Sequence, residues 1–206
     1  MNSNKKIRNP KSEIRNQKTL YPVILPVPEE VRSYKPRDRV VFLSGHARKA
    51  LALCARKSGI ALAEYKKDPE GVPLPADGFY WSVTHKTNYV GGVLSTQPVG
   101  IDIEKIQPCS AGLFRKTAAE DEWALASQST DEFTTFYRYW TSKEAAVKAS
   151  TIGIKDLLKC RIHQIVDDHH LEIEYLNKRW QIEHFYFDDH IASIVRNDFT
   201  IEWTLS

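Results

Sequence analysis

The sequence predicts an α+β protein of two similar-sized halves meeting near residue 100. Three observations point there. Residues 133–149 (FTTFYRYWTSKEAAVKA) place Phe133, Phe136, Tyr137 and Trp140 at intervals of three and four, the spacing of one helix face. Residues 79–83 and 89–94 read as strands around a tight connection, Thr84 to Asn88. From Cys160 onward the pattern changes to short β segments (CRIHQIV, LEIEYL, RWQIEHFYF, HIASIVR, TIEWTL) separated by turn-like pieces, which predicts a meander.

In chain order, residues 1–18 are polar, basic and without periodicity, the signature of a disordered segment. Prolines keep the chain irregular as far as residue 38. Residues 39–100 form the expected N-terminal lobe and residues 101–206 the C-terminal one. Within the first, residues 39–43 (RVVFL) read as a short strand. Ser44 then caps a helix running to Lys57, closed by Gly59. Residues 60–66 read as another strand, followed by a Pro- and Gly-rich loop, DPEGVPLPADG. Residues 99–103 form a third strand of that group, and residues 112–126 and 131–149 read as helices.

Composition narrows the function classes. With 42% hydrophobic and 27% charged residues the chain is an ordinary globular protein. No apolar run approaches the ~20 residues of a membrane span. The net charge of +3 is concentrated at the start. Residues 1–18 hold six basic side chains against Glu13, which leaves the remainder at −2, without the broad basic surface that nucleic acid needs. Cys54, Cys109 and Cys160 are widely spaced and odd in number, pointing to a reducing cytoplasm rather than a disulfide framework.

Several residue groups carry possible chemistry. In the alternating run Gly100-Ile101-Asp102-Ile103-Glu104 both carboxylates fall on one strand face, about 6–7 Å apart. Such a pair is either the wet face of a half-buried strand or an oxygen-ligand pair for a hard cation such as Mg²⁺. The aromatic stripe of residues 133–149 continues through Glu144 and Lys148. These two form either a surface salt bridge or a functional pair on a packed face, where unpaired charge is costly. Thr141 to Glu144 also matches a capping box at a helix start. Three carboxylates gathered in one place would need a cation to offset their repulsion. Arg48 and Lys49 taken alone read as a solvated helix face, and His85 as a turn histidine beside a lysine, open to an anion. The other histidines, His46, His163, His169, His170, His184 and His190, share no ligand spacing with cysteine and are read as turn residues rather than a zinc site.

VGIDIE (99–104) followed by WTSKEAAVKA (140–149) resembles the paired signature of the 4'-phosphopantetheinyl transferases. WSVTHK (81–86) is similar to that family's upstream strand-and-histidine element. LSGHARKAL (43–51) resembles the Arg-containing helix of its larger, surfactin-synthetase-activator type. The resemblance covers residues 40–161 and fades in the C-terminal strands. It implies two lobes related by pseudo-twofold symmetry, each a small antiparallel sheet packed with helices, in a monomeric cytoplasmic enzyme. It also implies Mg²⁺-dependent transfer of the phosphopantetheine arm of coenzyme A to a serine of an acyl, polyketide or peptidyl carrier protein. Asp102, Glu104 and Glu144 then match the metal ligands, Glu144 also the general base, with a metal-bound water or hydroxide as the alternative base, and Lys148 the lysine near the pyrophosphate. Arg48, Lys49, Thr84, His85 and Lys143 match coenzyme-binding positions.

Two departures stand out. Many relatives read Gly-Lys-Pro where this chain has Gly71-Val72-Pro73, with Lys66, Lys67 and Lys86 as possible substitutes. The basic cluster before the first helix has only Arg37 and Arg39 near it. Two other readings compete: a Mg²⁺-dependent nucleotide phosphotransferase, which lacks any P-loop here, and a non-catalytic module that keeps the fold.

Overall fold

The computed structural model describes residues 18–61, 64–126, 131–151 and 157–206. A 22-residue helix, α1 (Pro36–Lys57), packs on one sheet, and a 19-residue helix packs on the other. Strand β1 (Thr19–Leu20), β2 (Val23–Pro26) and a 3₁₀ turn (Glu29–Ser33) precede α1, where the prolines of this stretch had predicted irregular chain. Then come β3 (Tyr80–His85), β4 (Tyr89–Ser95) and β5 (Ile101–Lys105). Two short helices, α2 (Ala111–Thr117) and α3 (Glu120–Trp123), lead to the long α4 (Glu132–Ser150). After a 3₁₀ turn (Leu157–Lys159) the chain forms β6 (Arg161–Ile165), β7 (His170–Tyr175), β8 (Lys178–Phe187) and β9 (His190–Val195). It ends with β10 (Thr200–Ile201) and β11 (Thr204–Leu205).

Helix α1 starts eight residues before the expected Ser44 cap and absorbs the segment read as strand, residues 39–43. Pro36 at its first position has the backbone angle a helix start needs, and its missing N–H is no loss there. The β-branched Val40 and Val41 had favoured a strand, but both lie exposed. The burial that decides the element comes instead from Leu43, Ala47, Ala50, Leu51 and Cys54, at helical spacing. Gly59 ends the helix as its spacing predicted, with φ +67°. Gly59 N–H donates to Arg56 O and Ile60 N–H to Ala55 O, the paired bonds of a Schellman ending. The described part of residues 60–66 contains no strand, and residues 62 and 63 lie outside the described set.

β11, β2, β4 and β3 form the first sheet in that order, and β5, β9, β8, β7 and β6 the second. The β6 to β9 run is the expected meander. Its last segment departs from expectation: β10 pairs in parallel with β1 as a separate two-stranded sheet, and β11 pairs in parallel with β2 at the edge of the first sheet. The residues read as one helix, 112–126, are broken at Ala118, whose extended backbone separates α2 from α3. Helix α4 begins one residue after its cap, Asp131, whose carboxylate accepts from Thr134 N–H at 2.8 Å. Among the described residues no helix is long and apolar enough to cross a membrane.

Two glycines set how closely the layers meet. A Cβ on Gly92 of β4 would lie 2.5 Å from the Leu51 backbone of α1. At Gly100, just before β5, it would lie 1.9 Å from the Ala145 carbonyl oxygen of α4. We predict that Gly100→Ala forces β5 and α4 apart and costs about 1–3 kcal/mol or more in denaturant unfolding. Gly45→Ala, in the exposed middle of α1 with nothing within 4 Å, should instead stabilise by about 0.5–1 kcal/mol. Equal effects of the two would refute this account of the contact.

Candidate active site

β5 lies between the first sheet and α4, with Asp102 reaching toward both. Its carboxylate is only 2% exposed. Oδ1 accepts from Lys148 Nζ of α4 at 2.7 Å and from Thr84 Oγ1 of β3 at 2.9 Å. Oδ2 is buried without a hydrogen-bond partner. Lys148 Nζ also donates to Ile101 O at 3.0 Å, which fixes the ammonium against the strand. Two residues on, Glu104 accepts from Lys86 Nζ at 2.5 Å. Thr84 of β3 and Lys86 just beyond its end, two residues apart, thus meet Asp102 and Glu104, two residues apart on β5.

Glu144 sits one helical turn before Lys148 and is 8% exposed. Among the described residues its carboxylate has neither a hydrogen bond nor an ion pair. Burial and the charge of Asp102 push its pKa up, against the pull of Lys148 and Lys86. Glu104 is raised by burial and by Asp102, with Lys86 and Lys148 opposing. Burial works against the charged form of Lys86, yet Asp102, Glu104 and Glu144 together hold its pKa above the usual lysine value. Asp102, Glu104, Glu144, Lys86 and Lys148 therefore act on one another as a single charge cluster.

Two clefts flank the cluster. One, of about 350 Å³, runs between β3, the end of α4 and the 67–73 loop, and is lined by Lys67, Val72, Ser82 and Lys148 among others. The other, of about 500 Å³, is lined by His85, Lys86, Asn88, Glu104 and Gln107 among others. His85 ends β3 beside both lysines. Its pKa is lowered by partial desolvation first, then by Lys148 and by Lys67 and Lys86. Arg48 donates to Tyr65 O at 2.9 Å and lies 5.8 Å over the Trp81 ring.

Three further residues matched to coenzyme binding have these surroundings. Lys143 is fully buried on the far side of α4, where Nζ pairs with Glu122 at 2.7 Å and donates to Thr117 O at 2.8 Å. Successive helix residues diverge by ~100°, so Lys143 and Glu144 cannot serve one face. The hydroxyl of Thr84, 3% exposed, is committed to Asp102. Lys49 is exposed and makes no contact with the cluster. Lys86, read only as a possible substitute cation, is instead the partner of Glu104. Its signal was the alternation Ser82, Thr84, Lys86 opposite the alternating acids of β5.

The donor chemistry fits a hard divalent cation: Asp102, Glu104 and Glu144 offer only oxygen, and Asp102 Oδ2 is unpaired. Among the described residues, though, no three His, Cys, Asp or Glu side chains are already gathered as a ligand set. The three carboxylates influence one another's charge, with Lys86 paired to Glu104 and Lys148 to Asp102.

A family model described as the 4'-phosphopantetheinyl transferase superfamily matches residues 98–200, half of the chain. The chain belongs to that superfamily. The match runs through the C-terminal strands, beyond the point where the signature resemblance fades. Among curated relatives, the chain is 30% identical over 90 residues to "4'-phosphopantetheinyl transferase ffp" of Bacillus subtilis, covering 41% of this chain and 40% of that protein. It is 29% identical over 90 residues to "4'-phosphopantetheinyl transferase Sfp" of Bacillus subtilis (strain 168), with the same coverage. It is 30% identical over 143 residues to "4'-phosphopantetheinyl transferase HetI" of Nostoc sp., covering 64% of this chain and 60% of that protein. The alignments to the two Bacillus transferases thus span two fifths of their length.

The raised Glu144 and Glu104 have a stability consequence. A carboxylate whose folded pKa exceeds its unfolded one stabilises fully below the unfolded value and loses that contribution as pH rises through the folded value. At neutral pH both charges therefore oppose folding. We predict that Glu144→Gln raises the thermal midpoint at pH 7.5 by about 2–4 °C, and that this gain shrinks toward pH 4. Calorimetry across that range checks it. A lower midpoint in the variant would mean that Glu144 is a paired, stabilising group.

Proposed function

We propose that the chain transfers the 4'-phosphopantetheine arm of coenzyme A to a serine hydroxyl of an acyl, polyketide or peptidyl carrier domain, releasing 3',5'-adenosine diphosphate. The observation that carries this reading is Glu144: a buried carboxylate with no hydrogen bond or ion pair among the described residues, its pKa raised, in one charge cluster with Asp102, Lys86 and Lys148. The sequence signature and the membership in the superfamily give that geometry its substrate.

In this reading Asp102, Glu104 and Glu144 would hold Mg²⁺, which when bound neutralises charge on the transferring phosphate. The remaining work belongs to the chain. Lys148, fixed by Asp102 and Ile101 O, presents its ammonium to the pyrophosphate from the first cleft. Arg48 and His85 hold the adenosine 3'-phosphate end. The serine oxygen attacks the phosphorus that bears the pantetheine arm, and the bond from that phosphorus to the oxygen of 3',5'-adenosine diphosphate breaks. The serine proton passes to Glu144, whose raised pKa makes it a better acceptor than an ordinary surface carboxylate. Phosphoryl-type transfer asks mainly for such positioning and charge neutralisation. Cys54, Cys109 and Cys160 are free thiols, in keeping with a cytoplasmic enzyme. The body of the chain, at −2, suits a small polyanion held at one local site rather than nucleic acid. Two sheets each backed by one long helix suit a pseudo-dimeric monomer.

Purified protein with Mg²⁺ and coenzyme A should add about 340 Da to an apo carrier protein, the mass of one arm delivered by metal-assisted transfer. Glu144→Gln should lower that rate by at least ~100-fold while still binding coenzyme A. Intact-mass spectrometry of the carrier reads both. Coenzyme A binding with no mass change on any of several apo carriers would point to a non-catalytic module. Absence of both binding and transfer would sink the assignment.

A further inference from the structure

The cations around the first cleft differ in what they are bound to. Lys148 is paired with Asp102 and Lys86 with Glu104, while Arg48 donates through one nitrogen to Tyr65 O and keeps its other N–H groups for the 3'-phosphate end. Lys66 pairs with Glu64 at 3.1 Å, with both side chains 67% exposed, and does not line the cleft. Lys67 does line it and has no side-chain partner among the described residues. Its backbone is held in place by a tight hairpin. Lys67 bridges to Pro73, Asp68 N–H donates to Val72 O at 2.9 Å, and Val72 N–H donates to Asp68 Oδ1 at 2.7 Å. Leu74 N–H donates to Lys66 O at 2.9 Å, so the two arms stay in register. Val72, on the opposite arm, lines the same cleft and offers it no charge.

Taking coenzyme A as the ligand, we propose that Lys67 binds one of its phosphates in this cleft, supplying from one arm of the hairpin the charge that Val72 does not supply from the other. Burial, Arg48 and Lys148 all work against the Lys67 ammonium, as expected of cations gathered to meet an anion. Glu70 lines the cleft too, so the anion approaches on the Lys67–Lys148 side. The choice among the three lysines near the loop follows from their partners. Lys66 points to solvent and Lys86 belongs to the carboxylates, which leaves Lys67.

Calorimetric titration of the full chain with coenzyme A in the presence of Mg²⁺ tests this. Lys67→Ala should weaken binding about 10- to 100-fold, the range for losing a charged hydrogen-bond partner. Lys67→Arg should bind within a few-fold of wild type, and Lys66→Ala should be unchanged. In the transfer assay the Lys67→Ala defect should appear in KM with kcat nearly unaltered, as for a contact made equally in ground and transition states. The deciding variant is Val72→Lys in the Lys67→Ala background, which should recover most of the lost affinity by restoring a cation from the facing arm. Wild-type affinity in Lys67→Ala would overturn the proposal. So would a loss that neither Lys67→Arg nor the Val72→Lys double variant escapes, since that marks a structural role. Failure of the wild-type chain itself to bind coenzyme A would overturn the functional reading and this inference together.

Discussion

Everything at the junction depends on how closely β5 approaches α4. At Gly100 there is no room for even one carbon beyond the backbone, because the Ala145 carbonyl already occupies it. That contact sets the start of β5 against the fourth turn of the helix. Asp102, two residues along the strand, then reaches Lys148, three residues along the helix. With a side chain at position 100 the two elements would separate, and the ammonium and carboxylate would each face burial without a partner. The glycine and the alanines of the helix are thus as much part of the site as the charges, although none of them carries chemistry.

The charges follow a second rule. Asp102 and Glu144 are nearly dry, and like-charged groups in such a place oppose each other strongly. Lys86 and Lys148 relieve two of the three acids and leave the third, Glu144, without a neutralising contact. The second buried charge on the helix, Lys143, is treated differently. It meets Glu122, and Glu122 also receives the Ile162 N–H at 2.7 Å and the Ala119 N–H at 3.0 Å, so that this pair is fully engaged. Adjacent residues on one helix therefore stand in opposite settings: Lys143 ties α4 to Glu122 and Thr117 O, and Glu144 has no hydrogen bond or ion pair among the described residues.

Much of this was legible in the sequence because it is written in short-range periodicity. Helix α4, the β3–β4 hairpin, β5 and the meander all announce themselves by spacing, as do the two acids of β5 and the Glu144–Lys148 pair. The failures share a cause, since each required knowing what lies across from the residue. RVVFL has strand-like composition, and only the exposure of its valines shows that burial at Leu43 and Ala47 decides for helix. The prolines before it mask β1 and β2, whose partners arrive far later in the chain, β4 for β2 and then β10 and β11 for β1 and β2. Lys143 sits beside Glu144 in a motif, but the helix turns it away. Thr84 offers a hydroxyl to any ligand until Asp102 is seen to claim it.

The parallel pairing of β11 with β2 and of β10 with β1 ties the beginning of the described chain to its last residues. During synthesis, β2 must wait with one edge open until Thr204 and Leu205 have left the ribosome. Helix α1 and strands β3 and β4 can assemble earlier, but their sheet stays one strand short throughout. An unpaired edge of Val23, Ile24 and Leu25 is an invitation to pair with another chain. A molecule whose residues 204–205 have not docked on β2 would therefore be the one most exposed to aggregation, even with the rest of the described fold in place.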